Sequence, residues 1–262
     1  MNATGNARHP GTGTGTGTGD RRPPRPGSAS RNARDRARAE LTREIKEEAR
    51  RQIAAHGAQG LSLRAVAREL GMVSSALYRY FPSRDELLTA LIIDAYDALG
   101  QAAESAEAAV PAADVRGRWL ALCTAIRAWA LAHPHEYALI YGSPVPGYRA
   151  PQATVAPAIR AARVFGHIMA GLNTGNAAPA RDDAALPPVL AGQAAVIADA
   201  IAPGAPGPVI TRGLVAWTQL FGMISFELFG QFVGSTDPAD EFFCYAAERM
   251  ADFVGMPAST AA

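Results

Sequence analysis

The sequence predicts an all-α protein: a small N-terminal helix-turn-helix domain of three helices, then a larger helical regulatory and dimerisation domain. Three observations predict it. Apolar side chains recur at three- and four-residue spacing from residue 41 to about residue 254. Serine and aspartate caps open these segments, and glycine or proline closes them. No segment shows the strict alternation of a half-buried strand. The expected organisation is a basic Gly/Thr/Pro-rich tail at 1–33, the helix-turn-helix domain at 34–98, the helical domain at 99–256 and a tail at 257–262.

Each element has its local reason. Residues 1–32 contain GTGTGTGTG and RRPPRPG, with almost nothing to bury, so disorder is expected. The Gly-Thr repeat lacks the GK[ST] ending of a phosphate loop. The tail arginines either brush DNA backbone or stay inert. From Arg34 to His56 a helix forms, with Leu41, Ile45, Ala49 and Ile53 four residues apart, and Gly57 suits its C-cap. Ser62 caps a second helix whose inner stripe is Val66, Ala67 and Leu70. Gly71 allows a left-handed turn. Ser74 or Ser75 caps the third helix, which buries Leu77 and Phe81 and stops at Pro82. Ser83 with Glu86 forms a capping box for a fourth helix, which buries Leu87, Leu88, Leu91, Ile92 and Ala95 and runs to about Ala106.

Beyond residue 110 the pattern stays helical. Asp114 to Ala132 reads as one helix, halted before Pro134, and a short helix follows at His135–Tyr141. Gly142–Pro151 is a loop, 153–172 an amphipathic helix, 173–188 a second loop and 188–202 another helix. Two long apolar helices close the chain at 209–233 and 238–254, the second with Asp237 as N-cap and Pro238 in the first helical position. The apolar residues of the first, including Ile210, Leu214, Leu220, Ile224, Leu228 and Phe232, cover a wide arc. A wide arc implies burial on two sides, one against its own domain and one against a partner, although a helix central to a monomer core gives the same arc.

Composition narrows the class. Apolar residues make up 48% of the 262 and aromatic residues 7%, ordinary for a helical domain with a large core. The apolar runs are short and broken by polar residues, so no membrane span is expected. The N-terminus has no apolar signal region, which places the chain in the cytoplasm. There Cys123 and Cys244 are read as two buried thiols. Net charge is +1, but residues 1–90 hold 16 basic and 9 acidic side chains, and residues 91–262 hold 9 and 15. A basic front and an acidic back suit a chain that offers one end to phosphates, although a solvated basic tail gives the same numbers.

The stretch Leu41–Leu91 resembles the DNA-binding domain of the TetR family of transcriptional regulators. The residues that carry the likeness are Ala65-Val66-Ala67, Leu70-Gly71-Met72-Val73, Ser75-Ala76-Leu77-Tyr78-Arg79-Tyr80-Phe81 and Ser83-Arg84-Asp85-Glu86-Leu87-Leu88. Tyr80 before the phenylalanine and Arg84 after the serine both fit the family text. The remainder resembles, more loosely, the WHG-type C-terminal domain. Pro134-His135-Glu136-Tyr137 with Gly142 and Pro144, and Trp217 with Gly222 and Glu227, support it. Phe221 departs from the histidine often found there.

The candidate DNA-binding residues are Ser62, Arg64, Ser74, Ser75, Ala76, Tyr78, Arg79, Tyr80 and Arg84. Ser62 and Arg64 open the helix that crosses the backbone, so phosphate positioning is their expected task. Tyr78, Arg79 and Tyr80 are consecutive on a short helix and cannot all face inward. Tyr78 either packs on the first helix or reaches phosphate. Ser74 and Ser75 cap, touch DNA or do both. Arg84 puts positive charge at a helix start, against the dipole, and a nearby phosphate would offset that. Arg79 is the only arginine of the recognition helix, which has no Asn, Gln or Lys, so base readout is sparse and DNA shape contributes.

In the C-terminal domain the family resemblance implies an effector pocket. Its candidate lining is Trp129, Tyr137, Tyr141, Phe165, Met169, Trp217 and Phe221, each of which can equally be plain core. The expected effector is apolar or weakly polar. His133-Pro134-His135-Glu136 lacks the i, i+4 spacing of a metal site, and no nucleophile elbow, zinc-protease helix or dinucleotide fingerprint occurs. The sequence is therefore read as having no metal, no cofactor and no enzymatic activity. The expected function is a ligand-released repressor, a homodimer through 209–233 and 238–254 on double-stranded operator DNA, with the fourth helix as lever. The rivals are a constitutive architectural DNA binder and a helical enzyme with a DNA-binding head.

Overall fold

The computed structural model describes residues 26–172 and 185–258, the backbone alone for 26–31. Residues 1–25, 173–184 and 259–262, where the expected tails and much of the second loop fall, lie outside the described residues. The described chain is helical, with eleven α-helices and no strand among those residues. It divides into two compact units, residues 1–42 and 43–262.

Helix α1 spans Pro26–His56. It starts eight residues before Arg34, so 26–33 of the expected tail are helical. In the first unit Thr42 Oγ1 donates to the Arg38 carbonyl at 2.8 Å. In the second, α1 buries Ile45, Ala49 and Ile53. Gly57, with φ 70°, ends it by donating to the Ile53 carbonyl at 2.8 Å.

Helices α2 (Leu63–Glu69), α3 (Ser74–Leu77) and α4 (Arg84–Ala108) follow. Ser62 and Ser83 cap α2 and α4, their hydroxyls accepting from Ala65 N and Glu86 N at 3.4 and 3.1 Å. Leu63, Val66 and Ala67 are the buried face of α2, while Leu70 is only half-buried. The expected domain boundary at residue 98 falls inside α4, which runs unbroken through it.

Helix α5 (Val115–Ala132) is capped by Asp114, whose carboxylate accepts from Gly117 N at 2.8 Å. Helix α6 is Pro134–Tyr141. The amphipathic helix expected at 153–172 is instead a tight turn at 152–154, α7 (Val155–Ala158) and α8 (Arg160–Gly171). Ile159, with φ −86° and ψ −1°, separates α7 from α8. Helix α9 is Pro188–Ile201.

The last two helices are shorter than expected, α10 at Gly207–Leu228 and α11 at Asp240–Val254. Gly230, with φ 81°, stops α10: its N–H bonds to the Glu227 carbonyl at 3.3 Å, and Gln231 N to Phe226 at 2.9 Å. Helix α11 begins only at Asp240, with Ala239 as N-cap, so Asp237 and Pro238 precede it. By length and composition α10 could cross a membrane, but its Ile210, Ala216, Leu220 and Ile224 are buried in the core. Cys123 is a buried free thiol, and Cys244, expected buried, is exposed because α11 turns Phe243, Ala247, Met250 and Val254 inward instead.

The core of the second unit gathers around Trp119, Leu122, Ile126, Tyr137, Phe165, Ile168 and Ile210. Helix α4 packs on α5 and α8. Arg160 of α8 donates to Asp97 at 2.7 Å and Glu104 at 2.6 Å on α4, across Gly100, where a Cβ would meet the Arg160 stem.

Candidate nucleic-acid interface

The turn between α2 and α3 is built on Gly71. Its φ of 64° lets Met72 N bond to the Ala67 carbonyl at 2.8 Å and Gly71 N to Arg68 at 3.1 Å. Two crossed bonds of this kind satisfy the last carbonyls of α2 and redirect the chain. Val73, not Ser74 or Ser75, takes the N-cap position of α3, with no side-chain cap bond. The two serines therefore sit in the first turn of the helix. After Leu77 the backbone tightens, with Tyr80 N bonding to the Leu77 carbonyl at 2.8 Å.

Leu77 and Phe81 are buried, which fixes the opposite side outward. Ser75, Tyr78 and Arg79 are exposed there, Tyr78 at 42%, and Ser74, Ala76 and Tyr80 are half-exposed. Arg64 is exposed and Ser62 half-buried at the start of α2. Eight of the nine candidate residues thus lie on or beside a surface that solvent reaches. The ninth, Arg84, is occupied. Its Nη2 donates to the Ala58 carbonyl at 2.8 Å and its Nε to Leu61 at 3.2 Å. Carbonyl oxygens of the preceding turn balance the cation that the helix dipole disfavours.

Two side chains that periodicity did not single out complete this frame. Gln52 is buried on α1, and its Oε1 accepts from Ser62 N at 3.3 Å, joining α1 to the start of α2. Asp94 on α4 accepts from Lys46 at 2.8 Å and Arg50 at 2.6 Å on α1. A polar residue within an apolar stripe was the one signal for Gln52. Asp94 carried none, because its partners lie more than forty residues away.

The seven candidate effector residues all belong to the C-terminal core. The structure brings five together as a ribbon of rings: Tyr137–Tyr141 at 5.2 Å, Tyr141–Phe221 at 4.4 Å, Phe221–Trp217 at 4.9 Å and Trp217–Phe165 at 4.9 Å. Met169 sits beside Phe165, both closed against Gly213, where a Cβ would strike their side chains. Trp129 stands apart, stacked on His133 at 5.2 Å, and its buried indole N–H has no acceptor. Tyr137 donates to the Phe221 carbonyl at 3.0 Å and meets Ser225 at 2.9 Å. Burial raises the Tyr137 and Tyr141 phenols above their usual range, so both stay neutral at physiological pH. Four surface cavities, beside the 57–59 turn, on two sides of α9 and along α10 and α11, are lined by other residues.

Known proteins share this architecture. Residues 45–91 match the family described as bacterial regulatory proteins, tetR family, and residues 119–250 match the tetracyclin repressor-like C-terminal domain. HTH-type transcriptional regulators of Mycobacterium tuberculosis and Mycobacterium bovis are each 42% identical over 210 residues, covering 79% of this chain and 89% of theirs. Among solved structures, the regulatory protein SCO4313 is 35% identical with a TM-score of 0.69, covering 83% of this chain and 98% of that one. A TetR family regulator from Marinobacter aquaeolei, 18% identical with a TM-score of 0.57, shares the fold over 86% of this chain and 100% of its own. With the helix-turn-helix and the helical core both matched, this chain belongs to the TetR family and is a DNA-binding transcriptional regulator.

Proposed function

We propose that this regulator is a ligand-released repressor that acts in the cytoplasm as a homodimer on two-fold operator DNA. The observation that carries the reading is the outward face of α3. Ser75, Tyr78 and Arg79 are exposed on a helix whose other side is locked by Leu77 and Phe81. A helix held this way presents a fixed set of groups to a major groove. In this reading Arg79 with Ser74, Ser75 and Ala76 meets base edges, Tyr78 and Tyr80 meet phosphate, and Ser62 and Arg64 hold the backbone beside them. Arg84 serves the head by fixing the 58–61 turn.

The homodimer is supported by an unpartnered apolar face on α10 and α11. Val215, Phe242, Tyr245 and Phe253 are exposed along it, Tyr245 at 64%. Neighbouring exposed aromatic side chains mark an association surface. Two copies joined there would set two recognition helices on successive turns of the duplex. The effector, an apolar or weakly polar small molecule, would bind the DNA-incompetent state about 1–3 kcal/mol more tightly than the competent one.

The test is an anisotropy titration against DNA from the chain's own upstream intergenic region, at fixed salt, with random DNA as control. Tyr78→Ala is expected to melt at the wild-type temperature and to lose about 1.5–3 kcal/mol of operator affinity, the range of a hydrogen bond to a charged group. Wild-type affinity in the folded variant would remove Tyr78 from the interface.

A further inference from the structure

Helix α1 stops at His56 and α6 at Tyr141, each followed by a glycine. Between the two helix ends lies a cavity of about 470 Å³. That is within the roughly 300–1,000 Å³ of small-molecule sites. Its apolar walls are Ile53, Leu139, Val145 and Phe229, and its polar side chains include His56 and His135. No aspartate, glutamate, lysine or arginine lines it. The carbonyls of Ile53, Gly57, Ala58, Gln59, Ala138 and Val145 already accept hydrogen bonds, which leaves the His56 and His135 rings and the Ser143 hydroxyl as the polar groups for a guest. This lining suits an uncharged molecule with an apolar body and a hydrogen-bond donor. The body covers the aliphatic and phenyl walls, and the donor reaches an imidazole nitrogen or the Ser143 hydroxyl.

One wall of the cleft is also the mount of the DNA-binding head. Gly57, Ala58 and Gln59 line it, and Arg84 at the start of α4 holds the carbonyls of Ala58 and Gln59. The chain then enters α2 at Ser62, whose N–H is held by Gln52. A narrow crevice continues inward past Arg50 and Glu136, which face each other at 3.9 Å. A guest that widens the cleft therefore strains the turn that carries α2 and α3.

We propose that this cleft between α1 and α6, and not the aromatic core, is the effector site, and that it takes an uncharged aromatic or short-chain molecule bearing one hydrogen-bond donor. The assignment rests on the ligand-responsive reading above. Occupancy shifts the 57–61 turn against α4 and so changes how the recognition helix is presented.

The test uses the full chain and N-phenyl-1-naphthylamine, an uncharged aromatic amine whose fluorescence rises in apolar surroundings. Ala138→Trp and Ser143→Trp fill the cleft from two sides, and Gln193→Trp fills a surface groove on α9 as control. The expected result is one saturable site per chain, weakened about tenfold or more by either cleft variant and unchanged by the control. Saturating probe is expected to lower wild-type operator affinity by about 5–150-fold, the usual range of allosteric coupling, and to leave the Ser143→Trp variant unaffected. Probe affinity unchanged in both folded cleft variants would overturn the site. Binding in the cleft with unchanged operator affinity would overturn its role as effector site. A protein that binds the probe in the cleft and no operator DNA would support the site and overturn the regulatory reading instead.

Discussion

Gly71 shows how one residue shapes the DNA-binding surface. Its backbone is left-handed, with φ 64°, and open space surrounds it where a Cβ would stand. Gly71→Ala therefore meets no neighbour and pays only in backbone strain, about 1–2 kcal/mol in a thermal melt. The need for a glycine here was legible in the sequence, because LGMVSS breaks one apolar period and starts another. The carbonyl partners of Arg84 were not. A local rule about charge and helix dipole pointed to phosphate, while the partners it found, Ala58 and Leu61, lie more than twenty residues earlier. Residues whose task is set by their own turn can be read from sequence, and those set by a distant carbonyl cannot.

Between helices, a few ionic joints and close approaches fix the packing. Arg127 on α5 forms a two-pronged pair with Glu227 on α10 at 2.6 and 2.7 Å, and reaches Asp240 on α11 at 2.8 Å. Its guanidinium also lies 4.9 Å above the Phe243 ring. Arg127→Met would leave the largely buried Glu227 without its cation, and a loss of about 3 kcal/mol is expected in chemical denaturation. The joints are also acid-sensitive. Arg116 hydrogen-bonds Asp252, and Arg160 hydrogen-bonds Glu104, and each bond holds its carboxyl below the usual range. A pKa depressed by folding stabilises the protein above the unfolded value and ceases to do so as pH falls through the folded one. Melting temperature should accordingly hold from neutral pH to about pH 5 and fall below about pH 4, with Asp252→Asn flattening that fall. Helix identity was readable from apolar spacing, but helix ends were less so. The end of α10 depends on Gly230, which lies within a run of otherwise favourable apolar pattern.

For the molecule as a whole, the exposed face of α10 and α11 is where association is expected. Tyr245→Glu puts a charge on that face without touching the buried stripe of α11. Light scattering should then report a monomer with an intact fold. Operator affinity should fall by roughly 100-fold or more, because two linked heads gain that much over one. An unchanged dimer would move the interface elsewhere. The all-α architecture and the helix-turn-helix followed directly from periodicity and caps. The cleft between α1 and α6 did not, since its walls come from segments about eighty residues apart that carry no shared pattern.

The two thiols have a practical consequence. Cys123 is enclosed, and burial holds its sulfur protonated far above the usual range, whereas Cys244 stands exposed on α11. A maleimide dye should therefore tag the unmutated chain at one address. Its rate of attachment, followed against protein concentration, would report whether a second copy shields that helix.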